Sequence, residues 1–125
     1  MANPNIVNVT TIYGNSSQTA LSTTSATSLV SNAAASGKVF KINSIVAANV
    51  DGTSAADITI SIYSAAALGG TAYPIASTIS VPADATLIIT DKTTSFYLLE
   101  NQSIGATAGA ANDLVVTASW EEINS

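Results

Sequence analysis

Asp57-Ile58-Thr59-Ile60-Ser61-Ile62-Tyr63 alternates apolar and polar side chains without a break. Successive side chains of an extended chain point to opposite faces. Ile58, Ile60 and Ile62 therefore share one face, and Thr59, Ser61 and Tyr63 the other. The segment reads as a β-strand with one buried side. The same period returns near the C-terminus, where Leu114, Val116, Ala118 and Trp120 face one way and Val115, Thr117, Ser119 and Glu121 the other.

Upstream, residues 38–48 alternate with one defect. Phe40 and Ile42 lie on even positions, but the next apolar residues, Ile45 and Ala47, lie on odd ones. One extra residue near Asn43-Ser44 restores a common face, which is the signature of a β-bulge. Asn49-Val50-Asp51-Gly52 follows with turn chemistry, so this strand and the Ile58 strand are expected to form an antiparallel hairpin.

Shorter strands fill the rest. Residues 5–13 carry Ile6, Val7, Val9 and Ile12, with Gly14-Asn15 as the stop, and residues 18–22 form a weak strand around Leu21. Residues 74–81 end at Pro82, which cannot donate to a ladder. Residues 85–90 hold Leu87-Ile88-Ile89 before a hairpin tip at Asp91-Lys92. Residues 95–99 and 103–108 flank a turn at Glu100-Asn101-Gln102. Gly105, Gly109 and the alanines between them suggest a strand pressed close to another backbone. In residues 25–37, Ala26, Leu29, Val30, Ala33 and Ala34 fit helical spacing with Gly37 as a cap. They also fit a short strand over 26–31, which the surrounding strands favour.

Eight to ten short strands at spacings of about ten residues predict an all-β fold, an antiparallel β-sandwich or jelly roll. Ile58, Ile60, Ile62, Leu87, Leu98, Val116 and Trp120 are the expected inward residues. At 125 residues, one domain over residues 6–125 preceded by an arm of residues 1–5 is the natural division.

The inventory of side chains is narrow. There is no His and no Cys, which removes the commonest general base, the commonest metal ligand and any disulfide. No catalytic, cofactor-binding or metal-ligating residue is assigned, and no cofactor is expected. Asp51 and Asp57 flank Gly52, yet lack the further oxygen ligands that Ca²⁺ requires, so both read as turn residues. Glu121-Glu122 reads as a solvated strand end or a subunit contact. Paired carboxylates in a sugar-binding cleft are unsupported by so few aromatic residues.

Charge is scarce: 3 basic and 8 acidic residues make up 9% of the chain and leave a net charge of −5. Nucleic acid and anionic membranes are unsuited partners for such a surface. Neither a signal peptide nor an apolar run of spanning length is visible. Small residues replace charge, with Ala, Ser and Thr at 55 positions and a mean hydropathy of +0.40. A monomer facing water on all sides normally carries more charge. Cover of part of this surface by other subunits would remove that difficulty.

The series Lys41-Ile42-Asn43-Ser44-Ile45-Val46-Ala47-Ala48-Asn49-Val50-Asp51-Gly52-Thr53, then Ile79-Ser80-Val81-Pro82-Ala83-Asp84-Ala85-Thr86-Leu87, Tyr97-Leu98-Leu99-Glu100-Asn101-Gln102-Ser103-Ile104, and the closing residues 114–123 resembles small virion structural proteins of tailed bacteriophages, including phages of marine cyanobacteria. The resemblance covers about residues 38–123, and residues 1–8 also look like the start of such proteins. Members commonly have Gly-Asp where this chain has Asn101-Gln102. The resemblance implies a β-sandwich on the virus particle, made in the host cytoplasm, with copies of itself and other virion proteins as partners. Decorating or cementing the capsid exterior is the expected role. A neck, tail or fibre component and a carbohydrate- or receptor-binding β-module are the alternatives.

Overall fold

The computed structural model describes residues 4–124. Nine strands are connected in chain order: β1 (Thr11–Ala20), β2 (Thr27–Asn32), β3 (Lys38–Asn49), β4 (Ala56–Ala65), β5 (Gly69–Val81), β6 (Thr86–Thr90), β7 (Phe96–Leu98), β8 (Gln102–Ala108) and β9 (Leu114–Asn124). They form two antiparallel sheets. One runs β1-β9-β3-β6, with β7 sharing the far edge of β3, and the other runs β2-β8-β4-β5.

The pairings are nested. β1 pairs with β9, β2 with β8, β3 with β6 and β7, and β4 with β5. This is one long hairpin, closed at its β4–β5 tip and rolled so that β9 also meets β3 and β8 also meets β4. The winding is that of a jelly roll.

Period-two patterning governs the core as expected. Ile58 and Ile60 are fully buried, and Ile62 packs against them half-buried. Their β8 partners are Ala108, Ala106 and Ile104, so Ile58 and Ile60 each face an alanine while Ile62 faces another isoleucine. Leu98 and Val116 are fully buried, while Leu87 and Trp120 pack at the margin, Trp120 stacked on Phe40 with ring centroids 6.3 Å apart. The β3 bulge falls at Asn43, where the register against β9 shifts between Ile42 and Ser44. It brings Ile45 and Ala47 onto the same buried side as Phe40 and Ile42.

Three local expectations need correction. β3 and β4 do not form a hairpin; they lie in different sheets. Both edges of β3 are occupied, one by β9 and the other by β6 and β7, leaving β4 no ladder to join. The Asn49–Gly52 turn chemistry is present, with Asn49 Oδ1 accepting from Asp51 N–H at 2.9 Å, but it steers the chain across the sandwich. Second, Gly14-Asn15 does not end a strand. β1 runs straight through it, because Gly14 pairs with Glu121 and Asn15 with Trp120 in an unbroken ladder. Residues 5–10 lie outside any strand, with a turn closed by Asn8 N–H donating to the Asn5 carbonyl at 3.1 Å. Of the arm expected over residues 1–5, residues 1–3 lie outside the described part. Third, Asp91-Lys92 is no hairpin tip. Asp91 caps a 3-10 turn, Lys92–Thr94, which joins β6 to β7 along one edge of β3.

The ambiguous stretch is strand, β2. Gly109 does sit against backbone, as a Cβ there would lie 3.3–3.7 Å from Asp57 atoms. Gly105 instead makes room for side chains, with Leu68 Cδ2 at 2.7 Å and Tyr63 Cε1 at 2.9 Å from a Cβ position.

Two buried asparagines tie the sheets together at opposite ends of β3. Asn32, ending β2, donates from Nδ2 to the carbonyls of Lys38 (2.9 Å) and Leu98 (3.3 Å) in the other sheet. Asn49, ending β3, donates to Val81 of β5 (2.9 Å) and to Ser54 (3.0 Å). Buried amides satisfied in this way fix how one sheet sits on the other.

Candidate interaction surfaces

Asp51, Asp91, Glu121 and Glu122 are engaged by neighbouring groups. Asp51 accepts from the amide of Ser54 (3.1 Å) and the hydroxyl of Thr53 (3.3 Å). The Thr93 hydroxyl, followed by the Thr93 amide, holds the exposed Asp91 carboxyl below its ordinary value. Glu122 pairs with Lys38 and accepts from Asn15 Nδ2 (3.2 Å), and Glu121 accepts from Asn43 (3.4 Å). Glu121-Glu122 thus lies within β9, held by neighbouring strands rather than at a free end. Among the described residues, no three of His, Cys, Asp or Glu gather closely enough to hold a metal ion. A thermal melt in EDTA is expected to superimpose on one in plain buffer. A fall in midpoint of about 5 °C or more, roughly a kcal/mol at this size, would reveal a structural metal.

What the surface offers is strand edges. Each sheet ends in free backbone N–H and C=O groups, and most of these edges are interrupted. β2 carries a register shift between Ser28 and Val30. β5 contains Pro74 and three shifts against β4. β6 and β7 are short, with 5 and 3 residues. Such features blunt an edge against further pairing. β1 has none of them. Its 10 residues pair with β9 in continuous register, and it contains neither Pro nor a charged side chain. Indeed the first charged side chain of the whole sequence is Lys38.

Exposed apolar side chains gather in two places. One lies beside the root of β1. Val7 is 92% exposed and Ile6 about half so, and the segment joins the sheet where Thr10 N–H donates to the Asn124 carbonyl at 2.7 Å. Next to it, exposed Ile12 of β1 lies in one row with Ile123 of β9 and Val39 of β3, both of which are buried.

The other lies at the opposite edge of the sandwich. The Asp91–Ser95 break between β6 and β7 leaves a gap in the rim, and a groove of about 230 Å³ opens there between Ile75, Ile89, Thr90, Thr94 and Phe96. Exposed Tyr73, Ile79 and Ile88 belong to the same two edge strands, β5 and β6. The groove is smaller than the roughly 300–1,000 Å³ of ordinary small-molecule sites. Tyr13, Tyr73 and Tyr97 are exposed on three different strands. Tyr97 lies in the same row as Gly14 of β1, three strand spacings or about 14 Å away, so the aromatic residues do not form one platform.

Local patterning could not locate these surfaces. The absence of charge before Lys38 is plain in the sequence, but which strands become edges depends on the nested pairing.

No protein-family model matches the chain, and no curated protein is detectably similar to it. Solved structures do share its fold. A protein of the disulfide-linked pili that form Bacillus endospore appendages is 18% identical, with a TM-score of 0.54 over 92% of this chain and 90% of that one. A protein of the T13 viral particle of infectious bursal disease virus is 9% identical, with a TM-score of 0.50 over 91% of this chain and 31% of that one. No helix among the described residues is long and apolar enough to cross a membrane.

Proposed function

We propose that this chain is a non-catalytic structural subunit of a virion, carried on the particle exterior, where it decorates or cements the capsid. The observation that carries this reading is the β1 edge: ten residues in regular register, free of charge and of Pro. An edge of that kind is a template for strand addition by a partner. The resemblance of residues 38–123 to tailed-phage virion proteins supports the location, and a jelly roll shared with a viral particle protein agrees with it. The absence of His and Cys supports a role without chemistry.

A second reading is a neck, tail or fibre component. It is favoured by the mutual coverage with the pilus protein, since the pilus chain and this one are nearly the same length of fold. Disulfide linkage has no counterpart here, because the chain has no cysteine. Cohesion would have to come from strand edges and apolar contacts.

Ser16→Lys together with Gln18→Lys tests the edge. Both side chains are exposed, so the fold should be unaffected and the melting midpoint should stay within about 2 °C. Wild-type protein should co-sediment with isolated capsid shells or tails, and the double variant should not. Wild-type protein that pellets with neither would sink the proposal, and whichever structure it joins selects between the two readings.

A further inference from the structure

We propose that the segment bearing Ile6 and Val7 docks into the Ile75–Ile89–Phe96 groove of a second copy, linking subunits head to tail. The inference rests on the structural-subunit reading and adds a contact distinct from the β1 edge.

Three observations lead to it. Val7 is 92% exposed and Ile6 49%. Exposed branched side chains side by side favour transfer to an apolar site. The groove supplies such a site, with Ile75, Ile89 and Phe96 as its apolar walls. Its volume of about 230 Å³ suits side chains better than a bound metabolite. Neither the segment nor the apolar lining residues of the groove carry charge themselves. No charged side chain precedes Lys38, none lies between Asp57 and Asp84, and none lies between Lys92 and Glu100. Asp91 and Lys92, which follow the lining residue Thr90 in sequence, are of opposite sign.

Position separates the segment from its own groove, so the groove that can receive it is that of another copy. The segment is rooted at Asn124 beside β1, whereas the groove lies beyond β9 and β3 at the far edge of the same sheet. Knob and hole on opposite edges make a heterologous contact, which propagates into a ring or a filament. Pro74 and the register shifts of β5 disfavour plain strand addition at that edge, so side-chain docking is the mode left to it.

The test uses Val7→Asp and Ile75→Lys, each in the full-length chain. Wild-type protein should self-associate in sedimentation velocity as its concentration rises into the hundreds of micromolar. Either variant alone should associate at least about tenfold more weakly. Mixed, they should form a one-to-one pair of about twice 12.5 kDa and nothing larger, because Val7→Asp keeps a groove and Ile75→Lys keeps a knob. Strictly monomeric wild-type protein, or unaltered association of either variant, overturns the proposal. So does a mixture that stays monomeric. A monomer whose melting midpoint falls in Val7→Asp also overturns it, since the segment would then occupy its own groove. In each of these cases binding to capsid or tail shells can persist, which separates this failure from that of the structural-subunit reading.

Discussion

Replacing Ile60 with alanine is expected to remove about 4 kcal/mol of folding stability, near the upper end of the 2–5 kcal/mol range for buried large-to-small changes. Ile60 is fully buried at the centre of β4. Its ladder neighbours are Ala106 on β8 and Ala76 on β5. Neither has a side chain long enough to swing into the vacated space, so the cavity should persist. Total stability of a small domain is about 5–15 kcal/mol, which makes this loss a large share. At this chain length each kcal/mol moves the melting midpoint by roughly 3–5 °C, so a drop of about 15 °C is expected. Ile62→Ala should cost less, because that side chain is only half-buried. Ile88→Ala should cost almost nothing at 61% exposure. Thermal or urea unfolding of the three variants checks the order. An Ile60→Ala melt within a degree of wild type would mean the inward face of β4 is misassigned.

That inward face was legible because side-chain alternation is a local property. Ile58, Ile60 and Ile62 declare it within seven residues, and the slip at Asn43 shows up as a change of parity from Ile42 to Ile45. Pairing is not local. Thr11 meets Asn124 across almost the whole chain, and nothing near Gly14-Asn15 announces that a ladder will carry β1 through a typical turn pair. Asn49-Val50-Asp51-Gly52 has true turn chemistry, yet whether a turn closes a hairpin or crosses between sheets depends on which edges are already taken. The same holds for the interaction surfaces. Absence of charge is written in the sequence, but the groove exists only because β6 and β7 share one edge of β3 with a 3-10 turn between them.

Asn49 supplies the sharpest test of what joins the two sheets, and its replacement by aspartate is expected to cost about 3–5 kcal/mol at pH 7. The wild-type amide is 3% exposed. Its Nδ2 donates to the carbonyls of Val81 and Ser54, and its Oδ1 accepts from Asp51 N–H. Alanine would leave two carbonyl oxygens and one amide without these partners, a loss of about 2–3 kcal/mol where they remain dry. Aspartate keeps the acceptor but turns both donors into an anionic oxygen facing two carbonyl dipoles. Burial and those dipoles favour the neutral acid, so the folded-state pKa should rise above the unfolded value of about 3.9. The sign then follows. Below about pH 4 the carboxyl is protonated in both states, and its hydroxyl can donate to one of the two carbonyls. Above that, the unfolded chain releases the proton while the folded chain holds it, so stability falls by about 1.4 kcal/mol per pH unit until the raised pKa is passed. The difference in unfolding free energy between Asn49→Asp and wild type, measured from pH 3 to pH 8, should therefore widen with pH. Asn49→Ala should show a difference that stays level. If the aspartate variant matches wild type at pH 7, or its deficit does not change with pH, Asn49 is not the dry link between β3 and β5 that its hydrogen bonds describe.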